Sequence, residues 1–175
     1  MSEPTSGSAA NRWTAYLQEW AIPKNILDAA PESPWGFPVE QFARRADAAL
    51  GRPRTASDER ALEALPRDGS VLDVGCGAGA ASLPLAPEAG RLIGVDLSAE
   101  LLDAFRQRVL AAGKEVRTVQ GAWPDVAEQT PKADVVICHH VFYNVPGLAA
   151  FARELTSHAR RRVVVELTAS HPMSR

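Results

Sequence analysis

Three groups of residues in this chain could do chemistry. They are Asp73-Val-Gly75-Cys76-Gly77-Ala-Gly79 with Asp96 further along, the pair His139-His140 followed by Tyr143 and Asn144, and the cysteines Cys76 and Cys138. Val71, Leu72 and Val74 suit a buried strand, and three glycines spaced two apart let the chain turn sharply after it. A glycine loop between a strand and a helix brings a ligand against bare backbone at the edge of a parallel sheet. Spacing alone does not choose the ligand, because Ala80 also completes the dinucleotide pattern Gly-x-Gly-x-x-Gly/Ala. Asp73 suits a pyrophosphate poorly, since like charges repel at close range, and suits a ligand with a cationic group. Asp96 closes Leu92-Ile-Gly-Val-Asp96, where a carboxylate can accept hydrogen bonds from two ribose hydroxyls. Both ligand classes share that placement.

An imidazole titrates near neutrality, so His139 or His140 can act as a base where an acceptor must first lose a proton. The alternative is that one packs while the other meets solvent or substrate without proton transfer. Tyr143 and Asn144 follow on the same loop as candidate substrate contacts. No metal site is expected: the two histidines are consecutive, and no cysteine or carboxylate cluster supplies ligands at a familiar spacing. His158 and His171 are isolated and expected at the surface. Cys76 and Cys138 are expected as small buried residues rather than a redox pair, which would need cationic or helix-dipole activation.

Composition bounds the rest. A chain of 175 residues, 46% hydrophobic and 23% charged, is enough for one globular domain. Its net charge of -2 gives no electrostatic reason to expect a nucleic-acid partner. No apolar run approaches the ~18 residues of a membrane span, and Met1 to Ala10 lacks the pattern of a signal peptide. Two cysteines without a secretion signal read as reduced thiols, so the expected location is cytoplasmic.

The elements that must position these residues follow from periodicity. Residues 1–11 are expected to form a disordered tail, 12–66 a helical, aromatic cap or lid, and 67–175 a ligand-binding domain. Within the cap, Trp13, Tyr16, Leu17 and Trp20 recur at helical spacing. Pro38 suits the first turn of a helix carrying Phe42, Ala46, Ala49 and Leu50, with Gly51 as its stop. A further helix spans about Ser57 to Leu65. Trp20 and Phe42 are expected as core. Trp35-Gly36-Phe37 is expected as a pocket wall, making Trp35 and Phe37 candidate substrate contacts. From residue 69 on, strands at 70–74, 91–95, 115–119, 133–138 and 162–167 alternate with helices at 80–86, 99–112 and 147–159. That alternation predicts a parallel sheet covered on both faces. The strands starting at Arg91, Ser70 and Ala133 are the most apolar and should be central. The basic run Arg160-Arg161-Arg162 is expected at a solvated helix end.

Val71-Leu-Asp-Val-Gly-Cys-Gly-Ala-Gly79, Gly94-Val-Asp-Leu-Ser98 and Ala133-Asp-Val-Val-Ile-Cys-His-His-Val-Phe-Tyr-Asn144 together resemble the class I S-adenosylmethionine-dependent methyltransferases, over residues 70 to about 168. The resemblance implies a three-layer αβα, Rossmann-like parallel sheet of order 3-2-1-4-5, here with an N-terminal helical extension, and S-adenosyl-L-methionine as cofactor. It places Gly75, Gly77 and Gly79 at the methionine portion, Asp73 near its ammonium, Asp96 on the ribose and Leu97 against the adenine, with Cys76 and His139 also among the cofactor contacts. In many members an Asp follows the third strand and contacts the adenine amine. Here Ala122 stands in that place, so either its backbone makes the contact or Trp123 stacks on the ring, with core packing as the other role for Trp123. The implied sixth and seventh strands are missing from this chain, which is expected to be C-terminally truncated. Those strands, or a second copy in a homodimer, would cover the sheet edge. The activity implied is methyl transfer to a small-molecule acceptor by in-line displacement. The alternatives are a catalytically inactive binding module and, disfavoured by Asp73, an NAD(P)-binding oxidoreductase.

Overall fold

The computed structural model describes residues 9–19, 21–29 and 38–168. Trp20, Trp35, Phe37 and His171 lie outside the described residues. Four helices come first: α1 (Ala9–Glu19), α2 (Lys24–Ala29), α3 (Val39–Leu50) and α4 (Ala56–Ala64). Helix α1 starts three residues inside the tail expected to run to residue 11. Helix α3 lies between Pro38, which caps it from outside rather than entering its first turn, and Gly51, which stops it; Leu50 is solvent-exposed while Ala46 and Ala49 face inward. Helix α4 opens with a signature that sequence reading passed over. The Thr55 hydroxyl accepts from the Asp58 amide at 3.2 Å and the Asp58 carboxylate from the Thr55 amide at 2.8 Å, closing a capping box.

The strands are β1 (Gly69–Val74), β2 (Ala89–Asp96), β3 (Glu115–Gln120), β4 (Ala133–His139) and β5 (Ala159–Glu166). They form one parallel sheet in the order β3-β2-β1-β4-β5, as expected. The three central strands are nearly continuous apolar runs because both faces are covered. Side chains alternate along each strand. Val71, Leu92, Val135 and Ile137 therefore face the layer of α3, α4 and α5 (Ala99–Ala111), with Phe105 and Leu83. Leu72, Val74, Ile93, Val136 and Cys138 face Phe151 and Leu155 of α6 (Leu148–His158) and Trp123. Ser98 caps α5 as expected, its hydroxyl accepting from the Leu101 amide at 3.2 Å.

Three expectations are corrected. Residues 80–86 form turns and a 3-10 segment at Leu83–Leu85, not an α-helix. Pro84 has no amide hydrogen to give, and Pro87 follows closely. The run Arg160-Arg161-Arg162 belongs to β5, whose edge position lets the backbone pair with β4 while side chains stay wet. The Arg162 guanidinium donates to the Arg60 carbonyl and to Glu63, each at 2.8 Å. His158 is buried, not superficial: α6 ends against the sheet, setting its Nε2 2.9 Å from the Ala127 carbonyl oxygen and its ring edge-on to Trp123.

Candidate functional site

The loop after β1 is held by its own backbone. Gly75 and Cys76 both donate their amides to the Val95 carbonyl, at 2.8 and 3.0 Å, and the Gly79 amide reaches back to Cys76 at 2.8 Å. Gly75, Gly77 and Gly79 all have positive φ, the conformation that glycine tolerates. At Gly75 space forbids a side chain as well: an added Cβ would lie 2.3 Å from Cγ2 of Val141.

Asp73 lies directly beneath this loop. It is buried, and one carboxylate oxygen accepts from the Ser82 hydroxyl at 2.7 Å. The other, Oδ1, is buried with no hydrogen-bond partner among the described residues. Burial pushes its pKa up to about 7; the Ser82 bond opposes the rise, and the neighbouring charge of Asp96 adds to it. Asp96, at the end of β2, ties the loop down from the other side. Its Oδ2 accepts from the Gly77 amide at 2.8 Å and its Oδ1 from the Ser98 amide at 3.0 Å.

Two cavities of about 340 Å³ each open at the carboxyl ends of the strands, and Gly75 and Val141 line both. The β2–β3 side cavity collects Asp96, Leu97, Ala122, Trp123 and Asn144. Leu97 is 69% exposed there, an unusual state for a leucine. Trp123 reaches the wall but is buried, packed edge-on against His158 with ring centroids 4.8 Å apart. The cavity on the α3–α4 side is lined by Cys76, Gly77, His139 and His140. Sequence reading also missed five of its lining residues: Arg45, Arg52, Thr55, Val141 and Glu166. Phe42, expected as core, is half-buried against Gly77 and lines this cavity. Arg52 is held by a two-pronged ion pair to buried Asp58, at 2.5 and 3.1 Å.

The histidines sit where β4 and β5 end side by side, His139 paired in register with Glu166. The Glu166 carboxylate lies 3.2 Å from Nε2 of His140 and 3.9 Å from Nδ1 of His139. A hydrogen bond from Ser57, with both histidines nearby, holds this carboxyl below its usual range. His139 is mostly buried, and burial lowers its pKa against the opposing pull of Glu166. Tyr143 lines neither cavity. It is buried, its hydroxyl 3.0 Å from Nδ1 of His140 and accepting from the Thr168 amide at 2.7 Å. Asn144 lines the β2–β3 side, away from the histidines.

Cys76 and Cys138 are free, buried and in different core layers, and burial pushes both thiols up. Helix α1 reaches the rim through the Trp13 indole, which donates to the Val145 carbonyl at 2.8 Å. No helix among the described residues is long and apolar enough to cross a membrane.

Comparison with known proteins bears on the family and the fold. The family model for the methyltransferase domain matches residues 71–162, more than half of the chain. The ubiquinone biosynthesis O-methyltransferase of Vibrio atlanticus is 39% identical over 77 residues, covering 43% of this chain and 32% of that protein. The carboxy-S-adenosyl-L-methionine synthase of Wolinella succinogenes is 37% identical over 89 residues, 48% of this chain and 36% of that protein. The chain thus spans about a third of the length of these curated relatives. Among solved structures, magnesium protoporphyrin IX methyltransferase from Synechocystis PCC 6803 with bound SAH superposes with a TM-score of 0.52 at 24% identity, covering 70% of this chain and 64% of that one. That likeness establishes the fold.

Proposed function

This chain belongs to the methyltransferase-domain family, and we propose that it binds S-adenosyl-L-methionine across Gly75 and passes the methyl group to a small-molecule acceptor in the α3–α4 cavity. One observation carries the reading: the buried, unpartnered Oδ1 of Asp73 beneath a bare glycine loop with a cavity on either side. A ligand with a cationic group near the loop and a nucleoside at one end fits that arrangement, and a pyrophosphate does not. Asp96 would take the ribose hydroxyls, while Leu97 and Ala122 would flank the adenine. The loop backbone from Gly75 to Gly79 would carry the methionine portion, with its ammonium toward Asp73.

When bound, S-adenosylmethionine supplies a methyl group already activated for in-line displacement. The protein's part is alignment, water exclusion and, for an acceptor that must lose a proton, a base at His139 or His140. Phe42 and Val141 supply apolar wall beside the loop. Buried, free thiols are compatible with a reducing cytoplasm.

Titration calorimetry of the protein with S-adenosylmethionine, S-adenosylhomocysteine and NAD tests the proposal. The first two should bind and NAD should not. A cation arriving near Asp73 should also expel its proton, so near pH 7 the heat for S-adenosylmethionine should vary with the ionisation enthalpy of the buffer. Binding of NAD in place of the two sulfur compounds would remove the reading.

A further inference from the structure

We propose that His139, and not His140, is the proton acceptor, that Glu166 is its positioning residue, and that the acceptor is therefore a small hydroxyl compound, a phenol or alcohol, whose proton must leave. The inference rests on the methyl-transfer reading above and goes beyond it in the residue, its partner and the substrate class.

The argument is one of hydrogen-bond capacity. A neutral imidazole has one donor nitrogen and one acceptor nitrogen. His140 has a neighbour at each: Nδ1 is hydrogen-bonded to the Tyr143 hydroxyl at 3.0 Å, and Nε2 lies within ion-pair range of the Glu166 carboxylate at 3.2 Å. The carboxylate only accepts, so Nε2 of His140 carries the proton and Nδ1 takes the Tyr143 hydrogen. The Tyr143 oxygen is then free to accept from the Thr168 amide at 2.7 Å. With both nitrogens engaged and its backbone fixed at a φ of +59, His140 has no lone pair to offer. It anchors Glu166, and the His140 amide donates to the Glu166 carbonyl at 2.9 Å as well.

His139 is the opposite case. Its Nδ1 lies 3.9 Å from the second Glu166 oxygen, too long for a direct hydrogen bond. At that distance the carboxylate still favours a proton on the near side of the ring and stabilises the imidazolium. The proton therefore sits on Nδ1, leaving the lone pair on Nε2, which is buried without a partner among the described residues. His139 lines the same cavity as Gly75 to Ala78. The charged groups around it are Glu166 on β5, His140 after β4, Asp58 of α4 with Arg52 before it, and Arg45 of α3 on the same cavity wall. Burial outweighs their net pull and keeps the ring neutral at pH 7, the state a base needs.

Such a base serves an acceptor that is protonated at neutral pH. A carboxylate would arrive already charged and gain nothing from it, and a thiol, closer to its own pKa at neutral pH, would gain less than a hydroxyl. The hydroxyl proton moves to Nε2 of His139 and the oxygen pair forms the bond to the methyl carbon. The carbon–sulfur pair returns to sulfur, so the positive charge passes from the sulfonium to an imidazolium held beside Glu166.

Imidazole nitrogen NMR on the full chain, with no acceptor needed, reads the tautomers. At pH 8, where the imidazoles are read as neutral rings, His139 should be the Nδ1–H form and His140 the Nε2–H form, and Glu166→Gln should abolish the preference at His139. Turnover is then measured on a panel of phenols, alcohols and thiols. His139→Gln should lose about 100-fold or more in turnover on the best hydroxyl acceptor, a loss larger than any change in its S-adenosylhomocysteine affinity. Glu166→Gln removes a charge that raises the His139 pKa, so the acid limb of its rate profile should move to lower pH. An Nε2–H tautomer at His139, or undiminished turnover in His139→Gln, overturns the assignment. A wild-type protein that binds S-adenosylhomocysteine but methylates only thiols overturns the acceptor class and leaves the cofactor reading standing. Failure to bind either sulfur compound overturns the cofactor reading, while the NMR result still judges the His139–Glu166 pair.

Discussion

The two sides of the crevice are built by opposite means. At the end of β1 the chain offers backbone: three glycines in left-handed conformations, amides turned onto Val95 and Asp96, and one buried carboxylate with an oxygen left over. At the ends of β4 and β5 it offers side chains: two imidazoles, a carboxylate, a phenol and an ion pair drawn from three stretches of sequence. The carboxylates make the contrast sharpest. Asp73 has a single hydroxyl partner and is driven up by burial, whereas Glu166 is surrounded by donors and stays low. An under-satisfied buried carboxylate is a cost to the fold that a cationic ligand can relieve; a well-satisfied one is a positioning device.

That contrast can be broken most decisively at Asp73. Its folded pKa of about 7 lies above the ordinary 3.8, so the folded state binds the proton more tightly than the unfolded chain does. Its contribution to stability is therefore present below about pH 4 and is lost as pH rises to about 7, a change of roughly 4 kcal/mol. Urea unfolding across that range should show the fall, and Asp73→Asn should flatten it. A profile identical in the variant would mean that Asp73 is not the strained group.

A smaller effect is expected at Gly75. Gly75→Ala sets a Cβ against Val141 and forces a positive φ on alanine, costing about 2–3 kcal/mol of stability. Pairing it with Val141→Ala should recover the steric part and leave the backbone part, about 1 kcal/mol. Full recovery in the double variant would show that space, not backbone conformation, demands the glycine.

The smallest change is Asp96→Ala, which removes the acceptor for the Gly77 and Ser98 amides. S-adenosylhomocysteine affinity should weaken by ~1–3 kcal/mol, the scale of charge-assisted hydrogen bonds. Unchanged affinity by calorimetry would take Asp96 out of the site and leave it as a loop tie alone.

The same contrast explains what could be read in advance. The glycine loop was legible because a left-handed backbone needs glycine, and that need is written at the position itself. The sheet order came from the resemblance, but the central strands were visible as near-continuous apolar runs, which burial on both faces requires. The helix at 80–86 was a misreading of apolar spacing that Pro84 interrupts. Arg160 to Arg162 were misplaced because a charged edge strand and a charged helix end have the same composition. Thr55-x-x-Asp58 was legible and overlooked. Glu166 had no local signal: nothing in Val163-Val-Val-Glu166 marks a site until β5 is laid in register against β4.

By itself the sequence determined the features that depend on neighbours along the chain: strands, most helices, the glycine turn, and a carboxylate unsuited to phosphate. Only the tertiary structure decided that His140 meets Tyr143 and Glu166, that Trp123 is buried against His158 while still reaching a cavity wall, and that Arg45, Arg52 and Glu166 share a cavity. The physical reason is range. Backbone conformation and burial periodicity act over a few residues, whereas the state of an imidazole depends on charges and donors brought within about 4 Å by strand pairing and helix packing.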